Sequence, residues 1–224
     1  MRSVSVDQKP DLTARARIRD AALALFGRLG YDGTGMRAIA AEAGVSPALV
    51  VHHFGSKEGL RKACDEYVAT VMRETKQRAM TEGPPPDPLQ LLRTADDAQP
   101  LLRYLARMLV DGSPGVADLV DSMVADAVDY MEAGVDAGYL KPSEHPYERA
   151  VLLCIWQLGA VALHRHVERL MGVDLVGDPG AIVRWGAPAV EVLTNGLFTD
   201  ERWKSAVDEL ANVEQDEKRE RSDG

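Results

Sequence analysis

The stretch TGMRAIAAEAGVSPALVVHHFGSK, residues 34–57, constrains the fold more than any other part of this chain. It contains two short apolar-patterned segments joined at Gly44, where a tight turn needs a positive φ that only glycine adopts without strain. Ala40 is small enough to let two helices cross closely, and Val50 returns to the core ten residues later. This spacing predicts a helix over 36–43, a turn and a second helix, which together form a helix-turn-helix unit.

The start of the second predicted helix carries its own signals. Ser46 can cap the helix with its hydroxyl oxygen, and Pro47 suits the first helical position because it has no N–H to leave unsatisfied. Helix-turn-helix units place their second helix in the DNA major groove, so the stretch indicates DNA binding. The same spacing also fits a two-helix corner of an ordinary helical protein, and spacing alone leaves both interpretations open.

The rest of the chain is patterned as helices, with almost no strand-like alternation. Thr13 can cap a first helix that Gly30 closes, and Ser56 can cap a long helix that the Gly/Pro run at 83–88 ends. The C-terminal half predicts helices over 89–95, 100–110, 116–136, 147–171 and 180–198, the last kinked or split at Pro188, before a charged tail that frays from Asn212.

Charge is unevenly distributed along the chain. The net charge is −9, but residues 1–62 carry ten Lys and Arg against six Asp and Glu, so this segment is +4 and the remainder −13. A basic head on an acidic body orients a molecule towards phosphate, although chance clustering gives the same counts. Arg15, Arg17 and Arg19, near the start of the first helix, either touch a DNA backbone or form solvated surface.

Composition excludes several other classes of protein. No apolar run is long enough to span a bilayer, and the N-terminus lacks the apolar core of a secretory signal, so we expect a cytoplasmic protein with no membrane partner. Cys64 and Cys154 are too few for a disulfide framework or a zinc site. We expect both to be buried thiols, because a redox sensor would need exposure and a lowered thiol pKa.

The N-terminal region resembles a known family. From Thr13 to Leu60 the chain is similar to the N-terminal domain of the TetR/AcrR family of bacterial transcriptional regulators. One departure concerns Val51, which stands where the family usually has a tyrosine that contacts phosphate, so this contact is lost or moves to a neighbouring histidine. The matching residues are Ala21, Leu25, Phe26, Gly30, Tyr31, Thr34, Ile39, Ala40, Ala43 to Ser46, His53, Phe54 and Ser56 to Glu58.

The resemblance implies an all-α fold with a three-helix DNA-binding domain and a larger C-terminal helical domain for ligand binding and dimerisation. We expect a flexible arm over 1–12, the helix-turn-helix domain over 13–56, the regulatory domain over 57–211 and a charged flexible tail over 212–224. The implied function is that of a homodimeric repressor, released from a palindromic operator by a small molecule. The alternative is a constitutive DNA-binding protein that is regulated through protein contacts and has no ligand pocket.

An enzyme is the rival from another class. The chain contains no G-x-S-x-G, no phosphate-binding glycine loop and no H-E-x-x-H, so we predict no catalytic activity. Adjacent helical residues such as His52 and His53 point about 100° apart and make a poor pair of metal ligands, and His164 and His166 diverge likewise. We therefore predict no metal site and no cofactor.

The predicted DNA-contacting residues lie on the two reading helices and at the start of the long helix. Arg37 sits early in the first of these helices, and arginine is the usual partner of guanine edges. Leu49 can meet a thymine methyl group, whereas Thr34 can cap its helix and donate to phosphate. Family members often contact phosphate at the position of Lys57. The full predicted set is Thr34, Arg37, Ser46, Ala48, Leu49, His52, His53 and Lys57.

The predicted helix from Tyr147 has no charged residue between Ala150 and Leu163. A helix that is apolar all round must be covered all round, and in a domain this small a second subunit can supply the cover. A central core helix with no dimer role also fits. In the family the last two long helices of each subunit form a four-helix dimer interface. The predicted interface residues are Leu152, Ile155, Gly159, Ala160, Leu163, Val190 and Leu193.

A ligand pocket, where one exists, is expected inside the body between the long linking helix and the Tyr147 helix. Methionine and aromatic side chains in this region favour an apolar or aromatic effector, although each also fits an ordinary core. The candidate lining residues are Tyr104, Met108, Met123, Tyr130, Trp156 and His164.

Overall fold

The structure is a computed structural model that describes residues 8–83, 87–112 and 115–222. Within these ranges the chain is all-α, as predicted, with no strand. It divides into two compact units, Met1–Ile182 and Val183–Gly224. The helices are α1 Gln8–Leu29, α2 Met36–Glu42, α3 Pro47–Phe54, α4 Lys57–Glu82, α5 Pro88–Asp111, α6 Val116–Asp136, α7 Pro146–Ala162, α8 His164–Met171, α9 Ala181–Asn195 and α10 Arg202–Ser222.

The first three helices form the head, whose core is fully buried. Ile18 and Phe26 of α1, Ile39 of α2 and Val50 of α3 are each 0% exposed and pack into one apolar cluster with Leu60 of α4. The helical spacing of the apolar residues in α1 produces this face, as the sequence predicts. The head is therefore a rigid base for whatever its outer surface contacts.

The body continues the core of the head without a break. Leu101, Tyr104 and Met108 of α5 belong to the same buried cluster as Phe26, because α5 packs along α1. Further along the chain α4 packs against α6, and α6 packs against α7, around smaller clusters centred on Tyr130 and on residues such as Leu105 and Leu158. Head and body thus share packed helices through both α4 and α5.

Helices α1 and α5 differ from the sequence prediction. The first begins at Gln8, before the predicted cap at Thr13, so part of the predicted arm over 1–12 is helical and residues 1–7 lie outside the described residues. The predicted helices over 89–95 and 100–110 are one helix, α5, with Pro100 inside it. A proline costs one backbone hydrogen bond, but the apolar face that follows it, with Leu101, Tyr104 and Met108, is buried against α1, and this packing outweighs the local cost.

The predicted helix over 147–171 is two helices. It ends at Ala162, and α7 and α8 are bent by 76° relative to each other at Leu163. The sequence of α8, HRHVERLM, is largely polar, and none of its residues is buried, so no core face holds it in line with α7. By itself no described helix is long and apolar enough to cross a membrane, and the α7 and α8 pair reaches the required length only together, across this bend.

The second unit bears on two further predictions. Pro188 lies inside α9, so the predicted split at this residue is wrong and the predicted kink stays a prediction. The tail predicted to fray from Asn212 is helical to Ser222 as the end of α10. Many apolar side chains of this unit are exposed, among them Val190 at 60% and Leu210 at 69%.

Candidate nucleic-acid interface

The turn between α2 and α3 has the geometry that the sequence predicts. Gly44 has φ 65°, its N–H donates to Ala41 O at 3.1 Å, and the N–H of Val45 donates to Ala40 O at 2.9 Å. The Oγ of Ser46 accepts from the N–H of Leu49 at 3.2 Å, which caps α3. These bonds fix α3 relative to α2.

The outward side of these helices is open. Arg37 of α2 and Ala48 and His52 of α3 are exposed, and Leu49 is half-buried. Val51, where the family usually has tyrosine, is 51% exposed and offers no hydrogen-bond donor. Four of the predicted contact residues are therefore on the accessible side of the helix-turn-helix, on a core that cannot easily rearrange.

His53 and Lys57 occupy the junction between α3 and α4. The ring of His53 is half-buried, with its centroid 5.4 Å from that of His52 and 6.2 Å from that of Phe54. The ammonium of Lys57 lies 4.1 Å from the centroid of the Tyr31 ring, a cation–π contact that orients the side chain.

Thr34 is a correction to the predicted set. Its side chain is 1% exposed, and its hydroxyl donates within the head towards Gly30 O at 2.8 Å and Leu25 O at 3.2 Å. The N-cap of α2 is Gly35, without a side-chain cap. The hydroxyl of Thr34 therefore closes the end of α1 and is not available to phosphate.

Two of the arginines of α1 lie against aromatic rings. The guanidinium of Arg15 is 5.3 Å from the ring centroid of Phe54, and that of Arg19 is 3.4 Å from the centroid of Tyr67. Arg19 also pairs with Asp20 at 2.7 Å. These stacked positions keep positive charge at the surface formed by α1, α3 and α4.

A cluster of charged side chains on α4 was not predicted from the sequence, although the spacing of its residues is visible there. Glu58, Arg61 and Asp65 are three and four residues apart, and therefore share one face of the helix. Hydrogen bonds from Arg61 hold the pKa of Glu58 below its usual range, whereas burial raises the pKa of Asp65, against the opposing effect of a hydrogen bond from Tyr104. The Asp65 side chain is 14% exposed and that of Glu58 is 45% exposed, which explains the opposite directions.

The residues predicted to line a pocket are not brought together. Tyr104 and Met108 are buried in the head cluster, and Tyr130 lies in a separate cluster with Cys154. The other three are elsewhere: Met123 packs at a third cluster, Trp156 is 37% exposed on α7 and His164 begins α8. Two surface depressions of about 360 Å³ each are lined by other residues, one at Gly30 and Arg107, the other at Arg15 and Tyr67.

The residues predicted to form a dimer interface are mostly exposed. Leu152 is 70%, Ile155 55% and Leu163 57% exposed on or beside α7, and Val190 and Leu193 are 60% and 55% exposed on α9. A Cβ added at Gly159 would meet no atom within 4 Å. Ala160 is a correction, because it is only 9% exposed and faces the core of its own chain.

Both Cys64 and Cys154 are buried, as predicted, and burial raises the pKa of each thiol. Among the residues that the structure describes, no group of three or more His, Cys, Asp or Glu side chains could hold a metal ion.

An all-helical chain with an open helix-turn-helix on a basic head defines the class of helix-turn-helix DNA-binding proteins. Residues 18–64 match the family model for bacterial regulatory proteins of the tetR family, and residues 96–199 match the tetracyclin repressor-like C-terminal domain. The chain belongs to the TetR family of transcriptional regulators.

Individual relatives agree with this assignment. The chain is 42% identical over 212 residues to the HTH-type transcriptional regulatory protein RaaS of Mycobacterium tuberculosis. This alignment covers 92% of this chain and 96% of that protein. The HTH-type transcriptional dual regulator CecR of Shigella flexneri is 43% identical over 61 residues, 27% of each chain.

Solved structures show the same fold. A TetR-family regulator from Rhodococcus sp. aligns with a TM-score of 0.54 at 18% identity, covering 80% of this chain and 98% of that one. TylP, a TetR regulator from Streptomyces fradiae, aligns with a TM-score of 0.54 at 24% identity, covering 88% and 97%.

Proposed function

We propose that this TetR-family regulator is a homodimeric repressor that a small-molecule effector, mainly apolar or aromatic, releases from a palindromic operator in the bacterial cytoplasm. The observation that carries the proposal is the pairing of two surfaces in one chain. One is the open polar and basic side of the helix-turn-helix, and the other is the exposed apolar side of α7.

The proposed DNA contacts follow from the side chains on the open surface. Arg37 reads base edges, because an arginine fork matches the two acceptors of guanine. Leu49 meets a thymine methyl group, and Ala48 and His52 lie beside it on α3. The remaining proposed contacts are to phosphate and position the head without reading sequence: Ser46, His53 and Lys57.

The proposed dimer contact follows from the apolar side of α7. Leu152, Ile155 and Leu163 each leave more than half of their surface exposed, and Gly159 offers space for the close approach of a partner helix. Contiguous apolar surface of this kind marks an interaction site. We include Val190 and Leu193 of α9 in the proposal, because they are exposed to a similar extent.

Dimerisation would account for a palindromic operator. A single helix-turn-helix contacts only a few base pairs, whereas two heads related by a twofold axis bind two half-sites on successive turns of the duplex. An effector that favours a different separation of the heads would prevent simultaneous contact and release the DNA.

The constitutive alternative has one observation in its favour. Tyr104 and Met108, two of the predicted pocket residues, are 0% and 1% exposed within a packed core, so they leave no space for an effector. In this alternative the apolar surfaces bind a protein partner and the chain has no ligand pocket.

The DNA proposal is tested by selecting bound duplexes from a random-sequence pool with the purified chain. We expect a palindrome with half-sites about one helical turn apart. A set of bound duplexes without any common sequence, or with a single half-site, would contradict the proposed dimeric reading.

The dimer proposal is tested with Leu152→Asp, and Leu170→Asp serves as the matched control, since both leucines are 70% exposed. We expect the wild type and the control to be dimers by light scattering, and Leu152→Asp to be monomeric. Equal mass for all three proteins would show that α7 is not the interface.

The effector proposal is tested by mobility shift on the selected operator, with a library of apolar and aromatic compounds. Release by one compound, with saturable binding, supports the repressor mechanism. If no compound shifts operator affinity while a bacterial protein partner does, the constitutive alternative is correct.

A further inference from the structure

Arg61 is the most deeply buried charged side chain that the structure records near the head. It lies in the second turn of α4, and its side chain is 3% exposed. An arginine is almost never buried to this extent unless its charge is paired, because its removal from water is costly. The groups that surround it therefore explain why it is there.

Two carboxylates on α4 pair with the guanidinium. Its Nη2 donates to Glu58 Oε1 at 2.6 Å and its Nε donates to Glu58 Oε2 at 3.2 Å. Its Nη1 donates to Asp65 Oδ2. Both carboxylates belong to the same helix, so these pairs by themselves would hold only α4 in shape.

Two tyrosines connect this group to other helices. The hydroxyl of Tyr104, in α5, donates to Asp65 Oδ1 at 2.5 Å. The hydroxyl of Tyr31, in the segment after α1, is 3.4 Å from Glu58 Oε2. The ammonium of Lys57 lies 4.1 Å from the centroid of the Tyr31 ring. The network thus extends from α5 to the proposed phosphate contact at the start of α4.

The guanidinium also lies directly against the start of α6. A Cβ added to Gly115, the N-cap residue of α6, would be 2.5 Å from Nη1, 2.6 Å from Nη2 and 2.8 Å from Cζ of Arg61. A helix N-terminus carries partial positive charge, which repels a cation. The two carboxylates offset this repulsion, and only a glycine at position 115 leaves room for the guanidinium.

We propose that Arg61 is a positioning residue for DNA binding, which fixes the first turn of α4 and Lys57 against α5 and the N-terminus of α6. The inference rests on DNA binding by the head, but not on an effector or a palindrome. A displacement of the start of α6 then moves the guanidinium, and with it Glu58 and the junction that follows the recognition helix α3.

The test places a methyl group on the body side of this contact and measures DNA binding at the head. In Gly115→Ala the new Cβ displaces the guanidinium. Gly138→Ala is the matched control, because Gly115 and Gly138 have φ 80° and 78° and a Cβ at Gly138 meets no atom within 4 Å. Both variants therefore place alanine at a similar positive φ, and only one of them brings a Cβ against Arg61.

We expect Gly115→Ala to weaken binding to the selected operator about three- to tenfold more than Gly138→Ala, at equal folded fraction. Hydrogen exchange of the amides at 57–61 should accelerate only in Gly115→Ala. In an Arg61→Met background the effect of Gly115→Ala on affinity should disappear, because the displaced group is gone.

Equal operator affinity for the two alanine variants would overturn the inference, and so would a loss in Gly115→Ala that persists in the Arg61→Met background. If the double variant does not fold, Tyr104→Phe replaces it. This change removes only the hydrogen bond to Asp65 and should still lower affinity and accelerate exchange at 57–61. A wild-type chain that binds no DNA would instead overturn the proposed function, and this inference with it.

Discussion

The head and α7 are both rich in apolar residues, yet the head buries such residues at its core whereas one side of α7 exposes them. Ile39 in the head is 0% exposed, whereas Ile155 on α7 is 55% exposed. In the head, α1, α2 and α3 cover most of each other's apolar side chains, with Val51 at 51% exposed as an exception on α3. The side of α7 that carries Ile155 has no such cover within the unit to which it belongs. The apolar pattern of a helix therefore does not say whether its residues are buried by the same chain or by a second molecule.

The largest expected effect is a difference in the free energy of unfolding between alanine variants of these two isoleucines. Ile39→Ala should destabilise the chain by about 2–5 kcal/mol, because it leaves a cavity in a packed core. Ile155→Ala should change the stability of an isolated chain by less than about 0.5 kcal/mol, as surface substitutions do. Denaturant unfolding at several protein concentrations measures both. A concentration-dependent loss for Ile155→Ala would show that a second copy covers α7.

The next effect tests the outer surface of the head. Arg37→Ala should cost about 1–3 kcal/mol of binding to the preferred sequence and relax the preference at one base pair. Lys57→Ala should weaken binding to all sequences alike and reduce the salt slope by about one. Titrations of specific and scrambled duplexes at several salt concentrations distinguish the sequence-specific loss from the uniform loss. A uniform loss for Arg37→Ala would assign this residue to phosphate contact.

A pH effect is expected from the core of the body. Burial, with added repulsion from the Cys154 and Asp126 charges, raises the pKa of Tyr130 to about 12, from its ordinary value of 10.0. The folded chain therefore holds this proton more tightly than the unfolded chain. The resulting stability is fully present below pH 10 and is lost as the pH rises through the folded value.

Tyr130→Phe removes this dependence. Its stability should fall less steeply than that of the wild type between pH 10 and 12, with a difference of about 1–2 kcal/mol at the alkaline end. Thermal melts over this pH range measure the slope. Parallel curves for the two proteins would place the Tyr130 hydroxyl in contact with water.

The smallest expected effect concerns Lys76, which is half-buried on α4 between Met72 and Met80. Burial lowers the pKa of its ammonium, so the folded state disfavours the charged form. Lys76→Met should stabilise the chain by about 1 kcal/mol at pH 7, and the gain should shrink as the pH rises towards the ordinary lysine pKa. An unchanged melting temperature would show that the ammonium reaches solvent.

Local sequence signals were sufficient where the structure depends on neighbouring residues. Ser46, Pro47 and Gly44 act through bonds and backbone angles within a few positions, and the turn, the cap and the start of α3 are where these residues predict them. Thr34 was predicted wrongly, because its hydroxyl had two available roles. Only the packing of the loop against α1 decided that it bonds Gly30 O and Leu25 O.

The candidate site was partly visible in the same way. The exposed residues of α2 and α3 follow from helical periodicity, once the buried positions are known. Arg61 did not stand out, because a charged residue on a helix is ordinarily solvated. Tyr104, which donates to the Arg61 partner Asp65, and Gly115, which lies against the guanidinium, are 43 and 54 residues from Arg61 in the chain, and no local pattern brings them together.

The sequence by itself determined the helical class, the helix-turn-helix and the family, because caps, glycine turns and apolar spacing act over short distances. Tertiary structure alone decided that Pro100 remains inside a helix, that the chain bends at Leu163 and that Arg61 is buried against α6. These outcomes depend on the packing of distant helices. Packing energies sum over many contacts and can outweigh the preference of any single residue.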